Sequence, residues 1–171
     1  MYHYRFVLSY TGTSAFGWQD LGTNDQRPTV QASIHQVLKK ICKYQSCTIS
    51  AASRTDAGVH AFNQIAHFRL PAKADLDKLR AGINALSAPG ISVKKIIPIS
   101  PHFHARHSAL SKICRYQIYN HPFPSALAPQ RCWWLKRPLD SGAMLEAARH
   151  LLGENDFSAF RAVGCVAKSP I

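Results

Sequence analysis

Near the N-terminus, a hydrophobic pattern with the period of a strand is followed by one with the period of a helix. This order of the two periods constrains the fold more strongly than any other feature of the sequence. The chain opens with a strict alternation, in which every even position from Tyr2 to Tyr10 carries an aromatic or aliphatic side chain. This alternation is typical of a strand with one face in the core. After a glycine-containing loop, Thr29 can cap a helix whose apolar residues recur at helical spacing. These residues are Val30, Ile34, Val37, Leu38 and Ile41.

The same two periods return further along the chain. Strands are predicted at about residues 47–52, 62–70 and 91–99. Between the last two, Asp75 can cap a second helix with Leu76, Leu79, Ile83 and Leu86 on one face. The resulting order, β-α-β-β-α-β, is that of a ferredoxin-like domain. We therefore expect an α+β protein with antiparallel sheets, in which residues 1–105 form this N-terminal domain.

Residues 106–171 show part of a second α+β unit. Strands are predicted at about residues 109–120 and 131–135. Asp140 can cap a helix that Gly153 can end, and its apolar residues are Met144, Leu145, Ala148, Leu151 and Leu152. One helix and a few strands are too little to close a second layered domain. We expect this second half to be incomplete.

The charge distribution narrows the class of partner. Lys and Arg number 21 against 9 Asp and Glu, which gives a formal net charge of +12. Residues 78–139 contain basic residues but no acidic one. This asymmetry favours a polyanion such as RNA or DNA as partner, and the alternative is a protein that is merely basic. The tryptophans Trp18, Trp133 and Trp134 are predicted to be packing residues rather than platforms for bases.

Cysteine usage and hydropathy indicate a cytoplasmic protein. The five cysteines are odd in number and include no CxxC pair, a pattern typical of reduced thiols. The neighbouring His102, His104 and His107 lack a matching set of Cys or carboxylate ligands, so no metal ion is expected. The sequence after Met1 has no secretory hydrophobic region, and no apolar run is long enough to cross a membrane.

One carboxylate stands out in this basic context. Asp56 is the only acidic residue between Asp25 and Asp75. A lone acid does not help to bind a polyanion, so Asp56 is either incidental or acts chemically on what is bound. The incidental alternative is a turn, because Thr-Asp-Ala-Gly is a good turn sequence.

The residues around Asp56 resemble the active-site signature of the TruA family of tRNA pseudouridine synthases. The matching stretch is Arg54-Thr55-Asp56-Ala57-Gly58-Val59-His60-Ala61. Further blocks follow the family's order and cover essentially the whole chain. They are Tyr10-Thr11-Gly12-Thr13, Phe16-Gly17-Trp18-Gln19, Phe103-His104-Ala105-Arg106, Arg115-Tyr116 and Leu152-Gly153-Glu154-Asn155-Asp156-Phe157.

The resemblance implies that the protein isomerises uridine to pseudouridine at positions 38–40 of the tRNA anticodon arm, without a cofactor. Asp56 would be the catalytic carboxylate, which either attacks C1′ or removes a ribose proton. Arg54 would pair with this carboxylate or with a phosphate and help to flip the target nucleotide. His104 and Arg106 would contact the substrate, and a homodimer is the family's usual assembly. The basic residues that fit an RNA footprint are Lys39, Lys40, Lys43, Lys94, Lys95, Arg106, Lys112 and Arg115.

The sequence departs from the family pattern at two positions near the site. Ser53 replaces a glycine, and it would cost roughly 1–2 kcal/mol if that position needs a left-handed backbone. Cys114 replaces a substrate-binding tyrosine that packs on the target base, and a thiol lacks the stacking surface of that ring. Family members also continue beyond the position of Ile171, so we expect part of the second half and of the dimer interface to be missing.

Two alternatives stay open. One is a catalytically inactive or truncated RNA-binding remnant of the same family, which Ser53 and Cys114 favour. The other is an RNA-binding module of the RRM type, which the strand order and the charge would also fit. That module requires a Gly-Phe pattern on an exposed strand, and residues 62–70 lack it.

Overall fold

The computed structural model describes residues 1–20, 22, 28–43, 47–128 and 130–164. The chain divides into two compact units, the first running from Met1 to Arg115 and the second beginning at Tyr116. Helices and mainly antiparallel strands make this an α+β protein, as predicted. Cys165 and the terminal stretch Lys168-Ser169-Pro170-Ile171 lie outside the described residues. The domain boundary near residue 105 stays a prediction.

The first unit is built on a sheet in which all neighbouring strands are antiparallel. Its strands are β1 (Tyr2–Tyr10), β2 (Ser50–Ala51), β3 (Ala61–Leu70) and β4 (Ile91–Pro98). In the described residues their order across the sheet is β2-β3-β1-β4. Phe6 at the centre of β1 pairs with Ala66 of β3 on one side and with Ile96 of β4 on the other. Strand β2 is shorter than the predicted 47–52 and pairs only with β3.

Both helices of the first unit begin where the capping residues predict. Helix α1 (Val30–Cys42) follows Thr29, whose side chain accepts a hydrogen bond from Ala32 N at 3.2 Å. Helix α2 (Leu76–Leu86) follows Asp75, whose carboxylate accepts one from Lys78 N at 3.1 Å. These bonds satisfy backbone donors that have no partner within the helix.

A single hydrophobic cluster joins the two helices to one face of the sheet. Alternate residues of β1 point into it, and they meet α1 and α2 through the faces that the helical spacing predicts. The largest fully buried side chains are those of Phe6, Leu8, Trp18, Val30, Ile34, Leu38, Phe68, Ile83 and Val93. Each large apolar side chain of this kind stabilises the fold by roughly 1.5–3 kcal/mol. The prediction that Trp18 is a core residue is confirmed.

The second unit differs from its predicted form. Its strands β5 (Ile118–Asn120) and β6 (Trp133–Leu135) pair in parallel, so the expectation of antiparallel sheets is wrong here. Residues 109–117 form no regular element, so the predicted strand over 109–120 is correct only at its end. In the part of the chain that the structure describes, no strand pairs with residues 109–117.

Helix α3 (Ser141–Arg149) follows Asp140, which accepts a hydrogen bond from Ala143 N at 2.9 Å as a helix cap does. The helix ends at Arg149, before Leu151, Leu152 and the predicted stop at Gly153. Trp133 and Trp134 are 53% and 41% exposed, so their assignment as packing residues is wrong in this structure. Across the described residues, no helix is both long and apolar enough to cross a membrane.

Candidate active site

Asp56 lies at the tip of the connection between β2 and β3. The two ends of this connection are held together, because Ala52 N donates to Ile65 O at 2.8 Å. At the tip, Val59 N donates to Asp56 O at 3.2 Å and closes a turn. Gly58 supports the turn with a φ of +81°, a left-handed conformation that glycine adopts without steric strain. The side chain of Asp56 is exposed at this turn.

The segment before α1 lies directly against the Asp56 turn. Trp18 N donates to Thr55 O at 2.9 Å, which joins the two backbones. Gly17 has a φ of +80°, and a Cβ atom placed on it would lie only 2.7 Å from Thr55 O. A side chain at position 17 would therefore push the two segments apart.

The start of α1 fixes that segment from its other side. Val30 N donates to Gly17 O at 3.1 Å, and Gln31 N donates to Trp18 O at 3.0 Å. The side chain of Gln31 also donates to Ile49 O at 2.9 Å, just before β2. The Asp56 turn is thus connected, through the segment before α1, to the first residues of that helix.

Two buried polar side chains lie beneath the turn. The amide Nε2 of Gln64 donates to Ser53 O at 2.7 Å and to the Tyr10 hydroxyl at 3.3 Å. The Tyr10 hydroxyl is in turn 2.8 Å from Thr55 Oγ1. Gln64 and Tyr10 are only 6% and 4% exposed. These bonds hold the backbone on both sides of Arg54.

Arg54 and Asp56 are both exposed. Among the described residues, no ion pair within 4.0 Å joins the two side chains. Ser53 is not in the left-handed region, since Lys43 is the non-glycine residue with positive φ in the described chain. The conditional penalty for serine at this position therefore does not arise.

A basic groove of about 640 Å³ opens beside the turn. Arg54, Arg106 and Lys112 bring positive charge to its wall, and Asp20 is the acid that lines it. Asp56 is not among its lining residues. The structure thus brings together Arg54, His104 and Arg106 of the predicted site residues, with Asp56 on the neighbouring turn.

His104 shapes one wall of this groove. Its Nδ1 accepts hydrogen bonds from Arg106 N at 3.2 Å and His107 N at 3.4 Å, so the ring proton is on Nε2. Its ring meets the ring of His67 edge-on, with centroids 4.7 Å apart, and lies tilted against the ring of His107, with centroids 4.4 Å apart. Burial, followed by the charges of His107 and Arg106, lowers the pKa of His104, so the ring is neutral at physiological pH.

Cys114 lies apart from these residues. It is exposed, in a stretch without regular structure, and it does not line the groove. Among the described residues, no hydrogen bond joins it to Arg54 or Asp56. A second thiol, Cys47, is buried, and burial raises its pKa to about 11. It is therefore protonated and a poor nucleophile.

The sequence-based reasoning missed Gln64 and Tyr10 as parts of the site. A signal for Gln64 is present, because it shares the core-facing side of β3 with Ala66, Phe68 and Leu70. A polar residue in such a row must find hydrogen-bond partners inside the protein. Only the fold shows that one partner, Ser53 O, belongs to the Asp56 connection and that the other, the Tyr10 hydroxyl, bonds to Thr55 within it.

Comparisons with known proteins relate the chain to one family. The family model described as tRNA pseudouridine synthase matches residues 7–108. The chain is 41% identical over 174 residues to proteins named tRNA pseudouridine synthase A from Brucella ovis, Brucella abortus and Brucella melitensis. Each alignment covers 100% of this chain and 68% of the relative. The matched region includes the Asp56 turn, the segment before α1 and the groove wall up to Ser108.

Proposed function

The chain belongs to the tRNA pseudouridine synthase family, and on this premise we propose that it isomerises uridine to pseudouridine in tRNA. Asp56 is the catalytic carboxylate of this proposal. The observation that carries it is the turn itself, which presents one exposed acid beside a groove lined by Arg54, Arg106 and Lys112. The target is a uridine at positions 38–40 of the anticodon arm, as the resemblance to the TruA family implies.

The reaction exchanges one bond to C1′ of the ribose for another. The bond from N1 to C1′ breaks, the uracil turns, and C5 forms the new bond to C1′. The proton on C5 is lost and N1 gains one, so the product has the same atoms as the substrate. Asp56 acts at C1′ as a nucleophile or removes a ribose proton, and both routes require its ionised form.

A paired uridine hides its glycosidic bond within the stem, so the target nucleotide must leave the helix to reach Asp56. The exposed position of Asp56 on the turn suits this requirement. A flipped nucleotide would cover the carboxylate and exclude water from it. In this proposal Arg54 binds a phosphate beside the flipped nucleotide, since it has no carboxylate partner within the described residues.

The basic groove supplies affinity rather than sequence recognition. Lys and Arg side chains that neutralise phosphates release counterions, and this contribution does not depend on the base sequence. Position within the tRNA must then come from the shape of the anticodon arm.

The assembly and setting of the enzyme are part of the same proposal. We expect a homodimer that works in the cytoplasm on tRNA. We also infer a ferredoxin-like fold for the first unit, which is supported by its β-α-β-β-α-β order and by its antiparallel sheet order β2-β3-β1-β4.

Release of tritium from tRNA labelled at uracil C5 tests the activity, because the C5 proton is lost in every turnover. We expect Asp56→Asn to lower the rate by about 10²–10⁴-fold, the usual contribution of a general acid or base. Its affinity for tRNA should change by less than about threefold, because phosphate contacts dominate binding. Asp77→Asn is the matched control, since Asp77 is an exposed acid on α2 that pairs with Arg80.

Equal rates for Asp56→Asn and the wild type would overturn the role of Asp56. Tight tRNA binding by the wild type without tritium release would overturn the proposed activity. That second result would instead support the inactive RNA-binding remnant, which the replacement of a tyrosine by Cys114 favours.

A further inference from the structure

We propose that Tyr10 and Gln64 are positioning residues that hold the Asp56 turn in its reactive shape. Neither side chain touches the groove. Both act through the backbone on either side of Arg54 and through the side chain of Thr55. The inference rests on the proposed function, because it assigns these residues a role in that reaction.

The partners of Gln64 fix the direction of its two hydrogen bonds, whereas either hydroxyl can donate in the bond between Tyr10 and Thr55. Ser53 O can only accept, so the Gln64 atom 2.7 Å from it is the amide nitrogen. The second hydrogen of that amide reaches the Tyr10 hydroxyl oxygen at 3.3 Å. The hydrogen of Tyr10 is then available for Thr55 Oγ1 at 2.8 Å. The hydrogen bonds from Gln64 through Tyr10 to Thr55 thus form a relay that starts at a single buried amide and ends one residue before Asp56.

Asp56 depends on this support because its own carboxylate has none. Within the described residues, no hydrogen bond or ion pair of the Asp56 side chain is found, and only its backbone O is bonded. The position of the carboxylate is therefore set by the backbone at Thr55 and Asp56. Thr55 is held at both ends, by Tyr10 at its hydroxyl and by Trp18 N at its carbonyl, 2.9 Å away.

This arrangement predicts a defect in turnover rather than in binding. A shift of about 1 Å in a reacting group lowers the rate by up to about 10²-fold, even when the substituted residue does not contact substrate. Binding of tRNA draws on many phosphate contacts, which the turn does not supply. Loss of the relay should lower kcat and leave KM for tRNA nearly unchanged.

The chain offers a matched pair of tyrosines to separate this role from stability. Tyr4 and Tyr10 lie on the same face of β1, are 3% and 4% exposed, and each has a hydrogen-bonded hydroxyl. The hydroxyl of Tyr4 accepts from Ala74 N at 3.1 Å, at the opposite end of the strand from the turn. Tyr10→Phe and Tyr4→Phe therefore remove the same group from the same strand.

We expect Tyr10→Phe to lower kcat by about 10- to 100-fold with KM within about twofold, and Tyr4→Phe to keep both within about twofold. Gln64→Met, which keeps the size and removes the amide, should act like Tyr10→Phe. The loss of kcat in the double variant should be smaller than the product of the losses in the two single variants, because both residues act on one relay.

Equal kcat values for Tyr10→Phe and Tyr4→Phe in folded proteins would overturn the inference. Should Tyr10→Phe fail to fold, Gln64→Met decides on the same criterion.

Amide hydrogen exchange gives a readout that does not require turnover. Trp18 N donates to Thr55 O, so its exchange reports whether the turn stays in place. We expect faster exchange at Trp18 in Tyr10→Phe than in Tyr4→Phe, and equal exchange would overturn the inference. A wild type without tritium release would overturn the proposed function alone, and the exchange comparison would still decide whether Tyr10 holds the turn.

Discussion

At the scale of single residues, the site depends on two glycines with nearly the same backbone angle and different surroundings. Gly17 has a φ of +80° and Gly58 a φ of +81°. A Cβ atom on Gly17 would meet the backbone of the Asp56 turn, whereas one on Gly58 would meet nothing within 4 Å. The left-handed backbone requires glycine at both positions. The close approach of the Asp56 turn also excludes a side chain, but only at Gly17.

Gly17→Ala and Gly58→Ala separate these two requirements. We expect Gly58→Ala to lower the free energy of unfolding by roughly 1–2 kcal/mol, the cost of a left-handed alanine. Gly17→Ala should lose a further 1–3 kcal/mol or so, because the new methyl group overpacks against Thr55 O. Urea unfolding of both variants measures the difference. Equal losses would contradict the close packing of the two segments.

Asp56 and Gln64 show how far single residues could be predicted. The proposed role of Asp56 follows from a local string of residues and from its isolation among basic residues, so it could be inferred from the sequence. Gln64 reveals only that it needs partners, because its two acceptors come from Ser53 and from Tyr10, which lies 54 positions away in the chain. Cys114 illustrates the reverse case, since its predicted place at the target base finds no support among the described contacts.

At the scale of elements, the helices were more predictable than the strands. Each helix begins after a capping residue that bonds a backbone N–H three positions further along the chain. The sequence signal for a helix start is therefore local. A strand exists only where another strand pairs with it. Residues 109–117 are predicted to be part of a strand but are irregular, whereas β3 pairs on both sides and forms as predicted.

Strand β3 also carries a buried histidine that should make the first unit sensitive to acid. His67 is 4% exposed, and its Nδ1 accepts from Ala105 N at 3.2 Å. Burial, followed by the charges of His104 and Arg69, lowers the pKa of His67 from 6.5, while a weaker backbone bond to Ser50 raises it. Arg5 is its cross-strand neighbour on β1.

The sign of the effect follows from the lowered pKa. As the pH falls below 6.5, the unfolded chain takes up a proton at His67 before the folded protein does. The contribution of neutral His67 to stability is therefore fully present above the pKa that His67 has in the unfolded chain. It is lost as the pH falls through the lower pKa that His67 has in the folded protein. We expect the free energy of unfolding, measured by urea at a series of pH values, to decline as the solution becomes acidic.

His67→Asn keeps an acceptor near Ala105 N and removes the titrating group. It should flatten the pH dependence of unfolding, and His102→Asn, at an exposed histidine, should leave it unchanged. A decline of the same steepness in all three proteins would assign the acid sensitivity to other groups.

At the scale of the whole molecule, apolar residues stabilise the fold and basic residues can bind a partner, and the two sets lie in different places. The apolar cluster lies on one face of the sheet and holds α1 and α2. The basic residues of the groove lie beside the Asp56 turn, where they can attract a polyanion without disturbing that core. This division was predictable from composition only in part. The excess of 21 basic over 9 acidic residues indicates a polyanionic partner, but only the fold selects the residues that line one groove.

The salt dependence of tRNA binding tests whether those residues contact phosphates. Arg106→Gln and Lys112→Gln should each reduce the slope of log affinity against log salt concentration by about 0.7–0.9, the value expected for one lost phosphate contact. The reduction should be the same for tRNAs of different sequence, because phosphates carry no sequence information. Lys78→Gln is the matched control, since Lys78 lies on α2, is 87% exposed and pairs with Asp75. If all three substitutions change the slope equally, the affinity comes from the net charge of the protein and not from the groove beside Asp56.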